Sequence, residues 1–199
     1  MLTEIKRGVL FTIVTMVLFG GVYHVGLWAV GQVAFPAQAQ GSLIRRDDGS
    51  VIGSSLVAQA FTRPEYFHPR PSAVDYNAAS TGGSNFGPSN PEHLELVTAR
   101  LAALIALESA SASEVPSEMV TASGGGLDPH IPPAAAHRQA PRVAAARGID
   151  LNRMRALIDV HTEPPTFGFL GRARVNVLEL NLALDRELGR PVSGQRGTR

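Results

Sequence analysis

Between Val9 and Val30 the chain is apolar and carries no Asp, Glu, Lys or Arg, and it follows directly on the basic pair Lys6-Arg7. A hydrocarbon core about 30 Å thick takes roughly 20 helical residues, so this pattern predicts one transmembrane helix over residues 8–35. Lys6, Arg7 and the amino terminus crowd its near end, whereas Arg45 and Arg46 on the far side are offset by Asp47 and Asp48. The positive-inside bias then holds residues 1–7 in the cytoplasm and exports the rest. Tyr23, Trp28 and Phe35 gather toward the far end, at headgroup level. A cleaved signal peptide ending at Ala37-Gln38-Ala39 is the competing assignment, but signal cores run about 7–15 residues and this run is longer. At about 100° per residue Gly20, His24, Leu27 and Gly31 share one face, where small residues permit close helix approach. Gly20, His24 and Gly31 are therefore candidate contacts to a partner helix; the alternative is a lone helix with His24 reaching toward the outer interface.

Residues 36–188 read as one external, helix-rich α+β domain, and residues 189–199 as a polar, disordered tail. Pro36–Gly41 serves as a linker; Ser42–Ile44 and Val51-Ile52 flank an Asp-Gly turn and predict a β-hairpin. Ser55 to Phe61 reads as a short helix or turn. Arg63 to Pro91 holds too many Pro and Gly for a helix and too many aromatics for disorder, so it predicts a long ordered loop. Asn90 caps a helix that begins at Pro91 and carries Leu94, Val97, Leu101, Leu104 and Ile105 at helical spacing to about Leu107. Ser109 to Ser113 is a connector, and Thr121 to Pro133 a second Gly/Pro-rich loop. An Ala-rich helix from about Ala134 to Arg147 stops at Gly148; Asp150 caps the next one, which Pro164-Pro165 ends. The run from Val175 to Leu184 fits both strand and helix periodicities, and a short strand over Arg174–Val177 followed by a helix to about Leu188 reconciles them.

Charge adds little: Lys+Arg is 18 against Asp+Glu 17, with no basic surplus for nucleic acid. The absence of cysteine excludes disulfides, thiolate metal sites and a cysteine nucleophile. Lys6 is the only lysine, so the glycines of Ser80–Ser84 and Ser123–Gly126 lack the lysine of a P-loop, and no phosphorylation motif of a P-type pump occurs. Asp128, His130 and His137 form the nearest cluster of metal-ligand types, without a supporting His-x3-His pair; the plainer assignment is that Asp128 caps a turn or the coming helix and that the histidines are exposed or hydrogen-bonded. No Gly-x-Ser-x-Gly elbow supports an anchored hydrolase. The aromatics and arginine of the Tyr66–Asn85 loop have the composition of an interaction surface. Tyr66, Phe67, Arg70 and Asn85, with Asp128 in the Gly126–Ile131 loop, are the expected partner-interface residues, and no catalytic or metal residue is assigned.

The blocks Tyr66–Ala73, Tyr76-Asn77, Gly82–Asn85, Ser89–Pro91, Val120–Ser123, Gly126–Ile131, Gln139, Arg142–Ala144, Ala146-Arg147 and Val175–Asp185, in this order behind one anchor, resemble the C subunit of Kdp-type potassium-transporting ATPases. The resemblance runs from the anchor to Asp185. It implies a non-catalytic, single-pass accessory subunit of an ATP-driven potassium uptake complex in the cytoplasmic membrane. Its partners would be a P-type ATP-hydrolysing subunit, a channel-like potassium-binding subunit and the lipid bilayer. It further implies a chaperone that raises the pump subunit's affinity for ATP, with no cofactor of its own beyond ATP met transiently with that subunit, and Gln139 matches a glutamine implicated in nucleotide contact. Pro132-Pro133 and His137-Arg138 depart from the family's usual pattern there. The charge pattern places Gln139 outside, away from cytoplasmic ATP, so an external cap at the ion entrance of the channel-like subunit stays open as the alternative.

Overall fold

The computed structural model describes residues 1–108 and 111–191. They form two compact units, Met1–Ser54 and a second beginning at Ser55.

In the first unit α1 (Leu2–Thr15), a π-helical stretch (Met16–Val22) and α2 (Tyr23–Ala34) run on as a 33-residue helix, Leu2–Ala34, long and apolar enough to cross a membrane. The helix starts earlier than the apolar run, and Arg7 paired with Glu4 at 2.9 Å, one turn apart, adds a little support to the polar first turns. Gly20-Gly21 lie in the widened stretch, where no side chain stiffens the turn. There the His24 Nδ1–H donates to the Phe19 carbonyl, five residues back, at 2.6 Å. Where a linker is expected there is a single helical turn, α3 (Pro36–Ala39). β1 (Leu43–Arg45) and β2 (Val51–Ser54) then make the antiparallel hairpin that the Asp-Gly turn predicts. Gly49 closes it at φ +80°, and the Asp48 carboxylate accepts the Ser50 N–H at 2.8 Å.

The second unit is α+β. α4 (Pro91–Glu108) begins where Asn90 Oδ1 accepts the Glu92 N–H at 2.8 Å. β3 (His130–Ile131) leads into α5 (Pro133–Arg147), α6 (Leu151–Val160), β4 (Thr162–Glu163), β5 (Arg174–Asn176) and α7 (Val177–Leu188). The sheet order is β3-β5-β4, antiparallel throughout. α5 packs against α6 and brings Ala136, Ala140 and Ala144 to a core that Met154, Leu157 and Ile158 of α6 complete with Ile131, Val175, Leu180 and Leu184. Gly148 ends α5 at φ +67°, and Asp150 Oδ1 accepts the N–H groups of Asn152 (2.8 Å) and Arg153 (3.2 Å) to start α6. The ambiguous C-terminal run splits at Asn176, whose carboxamide accepts the Glu179 N–H at 3.2 Å and converts strand to helix.

Two expectations change, and one open alternative resolves. Ser55–Phe61 takes the turn and not the helix of the two forms its sequence allows, with a turn at Ser55-Leu56. The second Gly/Pro-rich loop contains β3, which is only two residues long and so leaves no alternation to read. The connector read over Ser109–Ser113 is organised from Ser111 on, where a capping box starts a 3₁₀ turn at Ala112–Glu114; residues 109–110 lie outside the described residues, as do 192–199 of the predicted tail.

Candidate interaction site

The Pro64–Arg70 segment has no regular secondary structure, so its peptide groups need partners from elsewhere in the fold. Two buried carboxamides supply them. Asn181 of α7 accepts the Phe67 N–H at 2.8 Å and donates back to the Phe67 carbonyl at 2.9 Å. Gln139 of α5 does the same for the next residue, accepting the His68 N–H at 2.7 Å and donating to the His68 carbonyl at 3.1 Å. Each amide reads a peptide as a neighbouring strand would, and both side chains are 1% exposed.

Two arginines of α5 bind the preceding residues. Arg142 donates to the carbonyls of Pro64 (2.7 Å) and Tyr66 (2.9 Å) and to Gln139 Oε1 (2.7 Å). Arg147 donates to the Glu65 carbonyl at 2.9 Å and to Asp185 at 2.8 Å, and its guanidinium lies 4.8 Å from the Tyr66 ring centroid. The Tyr66 hydroxyl closes the circuit by donating to Asp185 at 3.0 Å. Glu108, at the end of α4, faces Arg142 at 3.6 Å and Arg138 at 3.7 Å. Burial raises the Glu108 carboxyl above its ordinary value, and the two arginines only partly oppose this. Burial, reinforced by the charge of Arg142, lowers the His68 imidazole.

A second knot joins Arg70 to Asp128 at 3.3 Å and to the Ala122 carbonyl at 3.4 Å. Burial alone would raise the Asp128 carboxyl, but the hydrogen bonds from His130 and the charge of Arg70 outweigh it and hold it below its usual value. Beside this knot opens a cleft of about 410 Å³ lined by Arg70, Glu118, Asp128, His130, Arg172 and Arg174 among others.

Tyr66, Phe67, Gln139, Arg70 and Asp128 are thus gathered around one fastened loop. Phe67 requires a correction: it is fully buried in the core cluster, so its ring offers no outward contact. Asn85 joins neither knot; its amide turns back onto the Gly83 carbonyl at 3.1 Å. In the anchor, a Cβ at Gly20 would meet nothing within 4 Å and one at Gly31 only Ala39 at 3.9 Å, while His24 is engaged by its own helix. Among the described residues no three His, Cys, Asp or Glu side chains converge as a metal group; His137 instead pairs with Asp159 at 3.0 Å.

Glu108 has no signal in the sequence, and Asn181, Arg142, Arg147 and Asp185 enter there only as members of the resemblance blocks, with no role of their own. The available signal was Asn181 within the leucine run of α7, since a polar side chain on a buried helix face must be there to bond something.

The family model described as "K+-transporting ATPase, c chain" matches residues 5–186. The potassium-transporting ATPase KdpC subunit of Polaromonas naphthalenivorans is 52% identical over 180 residues, covering 89% of this chain and 91% of the relative. Its counterpart in Rhodospirillum rubrum is 51% identical over 179 residues, 89% and 92% of the two chains. That of Geobacter sulfurreducens is 47% identical over 185 residues, 92% and 97%.

Proposed function

The chain belongs to the family of C chains of the K+-transporting ATPase, and from that premise we propose that it is a membrane-anchored accessory subunit of a potassium uptake complex, raising the pump subunit's affinity for ATP through protein contact and not as a nucleotide ligand. The observation that carries the second half is the state of Gln139. Its amide is buried and both of its ends are spent on the His68 peptide, with Arg142 adding a third bond. A nucleotide could use that amide only by first displacing the loop, which would leave buried peptide groups unpaired. Glycines and arginines that could meet phosphate elsewhere in the domain lack the P-loop lysine, since the chain's one lysine is Lys6.

In this reading the helix Leu2–Ala34 spans the cytoplasmic membrane once, with the N-terminus inside and the second unit outside. The same placement supports the alternative role of a cap over the ion entrance of the channel-like subunit. Both roles need the domain to be a rigid body, and the clamped loop serves that need.

The test is photolabelling of the reconstituted complex with azido-ATP beside a titration of ATP affinity. Adding this chain should tighten ATP binding by the pump subunit while label falls on the pump subunit alone. Label on this chain that disappears in Gln139→Ala would overturn the contact-only mechanism.

A further inference from the structure

We propose that the turn between β4 and β5 is a docking element that seats Phe167 and Phe169 in an apolar, acid-rimmed pocket of another protein subunit of the complex; this rests on the accessory-subunit reading. Phe167 is 84% exposed, Phe169 75% and Leu170 50%, three large apolar side chains within four residues on a domain whose other phenylalanine of the fastened loop, Phe67, is wholly buried. Leaving two phenyl rings in water is unfavourable, and such a patch marks a binding surface far more often than a lone exposed Leu does.

The tip is held in shape. Thr166 and Leu170 exchange backbone hydrogen bonds of 2.9 Å each, and the Gly168 N–H donates to the Pro165 carbonyl at 2.9 Å. Its base is fixed in the sheet, where Thr162 and Glu163 pair with Val175 and Arg174, and Val175 is fully buried. Phe167 adopts φ +55°, a left-handed conformation that disfavours any side chain, and Gly168 (+82°) and Gly171 (+84°) complete the reversal. A fluid bilayer accepts aromatic rings in any orientation and would gain nothing from this strained, preset backbone. A shaped protein pocket does gain, because rings already held in place lose less freedom on binding.

Charge narrows the partner further. From Pro164 to Arg174 the sequence PPTFGFLGRAR holds two arginines and no acidic residue apart from the flanking Glu163. Arg174 is bonded to that Glu163 at 2.7 Å, whereas the Arg172 side chain is 92% exposed and pairs with Glu118 of its own chain only loosely, at 3.9 Å. A carboxylate on the pocket rim is the group Arg172 would meet.

The experiment places the photo-crosslinking amino acid p-benzoylphenylalanine at Phe167 or Phe169 of the full chain, co-expressed with its partner subunits, and at Glu95 of α4 as a control. The expected result is a protein adduct from the tip positions in excess of the control, with an unchanged thermal melt. In the Arg172→Glu background that adduct should fall about fivefold. Adducts to lipid alone, or none, would overturn the proposal, as would an adduct yield indifferent to Arg172→Glu. Should the unmodified tagged chain recover no other subunit, the accessory-subunit reading itself fails; recovery of subunits without a tip adduct sinks only the docking element.

Discussion

Phe67 lies between Tyr66 and His68 in a proline-flanked stretch, yet its ring is fully buried and its peptide is gripped by Asn181. Truncating a buried phenyl ring costs about 3–5 kcal/mol through lost transfer energy and the cavity left behind. Phe67→Ala should therefore lower the unfolding free energy of the purified chain by that order, read by denaturant titration. A variant as stable as wild type would mean that the loop, not the core, owns this side chain. The neighbouring His68 carries a pH consequence. Its imidazole sits below the ordinary 6.5 because burial and Arg142 disfavour the cation. The unfolded chain thus takes up a proton more readily, so the stability from neutral His68 is full above about pH 6.5 and is lost as pH falls through the lowered folded value. The melting temperature should drop from pH 7.5 to 5.5 more steeply in wild type than in His68→Asn. Parallel curves would show that His68 does not sense the proton.

Helix ends were legible where one or two residues act locally, Asn90 before α4, Gly148 after α5 and Asp150 before α6, whereas the switch into α7 was readable from periodicity and its Asn176 cap shows only in the structure. Asp150→Ala removes an acceptor for two N–H groups and should cost about 1 kcal/mol, seen as a small fall in melting temperature. No loss at all would mean that α6 is held wholly by packing. Less was legible where the decisive partner is far along the chain. The Phe67–Asn181 and His68–Gln139 pairs join residues 114 and 71 positions apart, and no local pattern announces a carboxamide standing in for a strand. β3 and β4 have two residues each, too few to show alternation. Composition misled at Phe67 for a related reason: aromatic, Pro and Arg content is shared by loops that dock outward and loops pinned inward. The exposed rings of Phe167 and Phe169 were passed over because Pro164-Pro165 reads only as a stop for α6.

At the scale of the molecule, the topology proposed from the charges around one helix bears on which chemistry the other unit can meet. Arg7 and Lys6 lie at its start, and Lys6 is the sole lysine, whereas positive charge beyond the far end is balanced by Asp47 and Asp48. Under the proposed topology the basic end stays in the cytoplasm and the second unit lies outside, where it would share no compartment with ATP. The proposed separation would fit a Gln139 amide whose two ends are bonded to the His68 backbone. The chain's lack of cysteine makes the topology directly measurable. A single cysteine at Glu95, exposed on α4, should react with a membrane-impermeant maleimide in intact spheroplasts, while one at Thr3 should react only after lysis. The reverse pattern would put the domain in the cytoplasm and return nucleotide to its reach. In that case the cleft beside Arg70 and Arg172, not the buried Gln139, would be the first place to look for phosphate, because its guanidinium groups line open space.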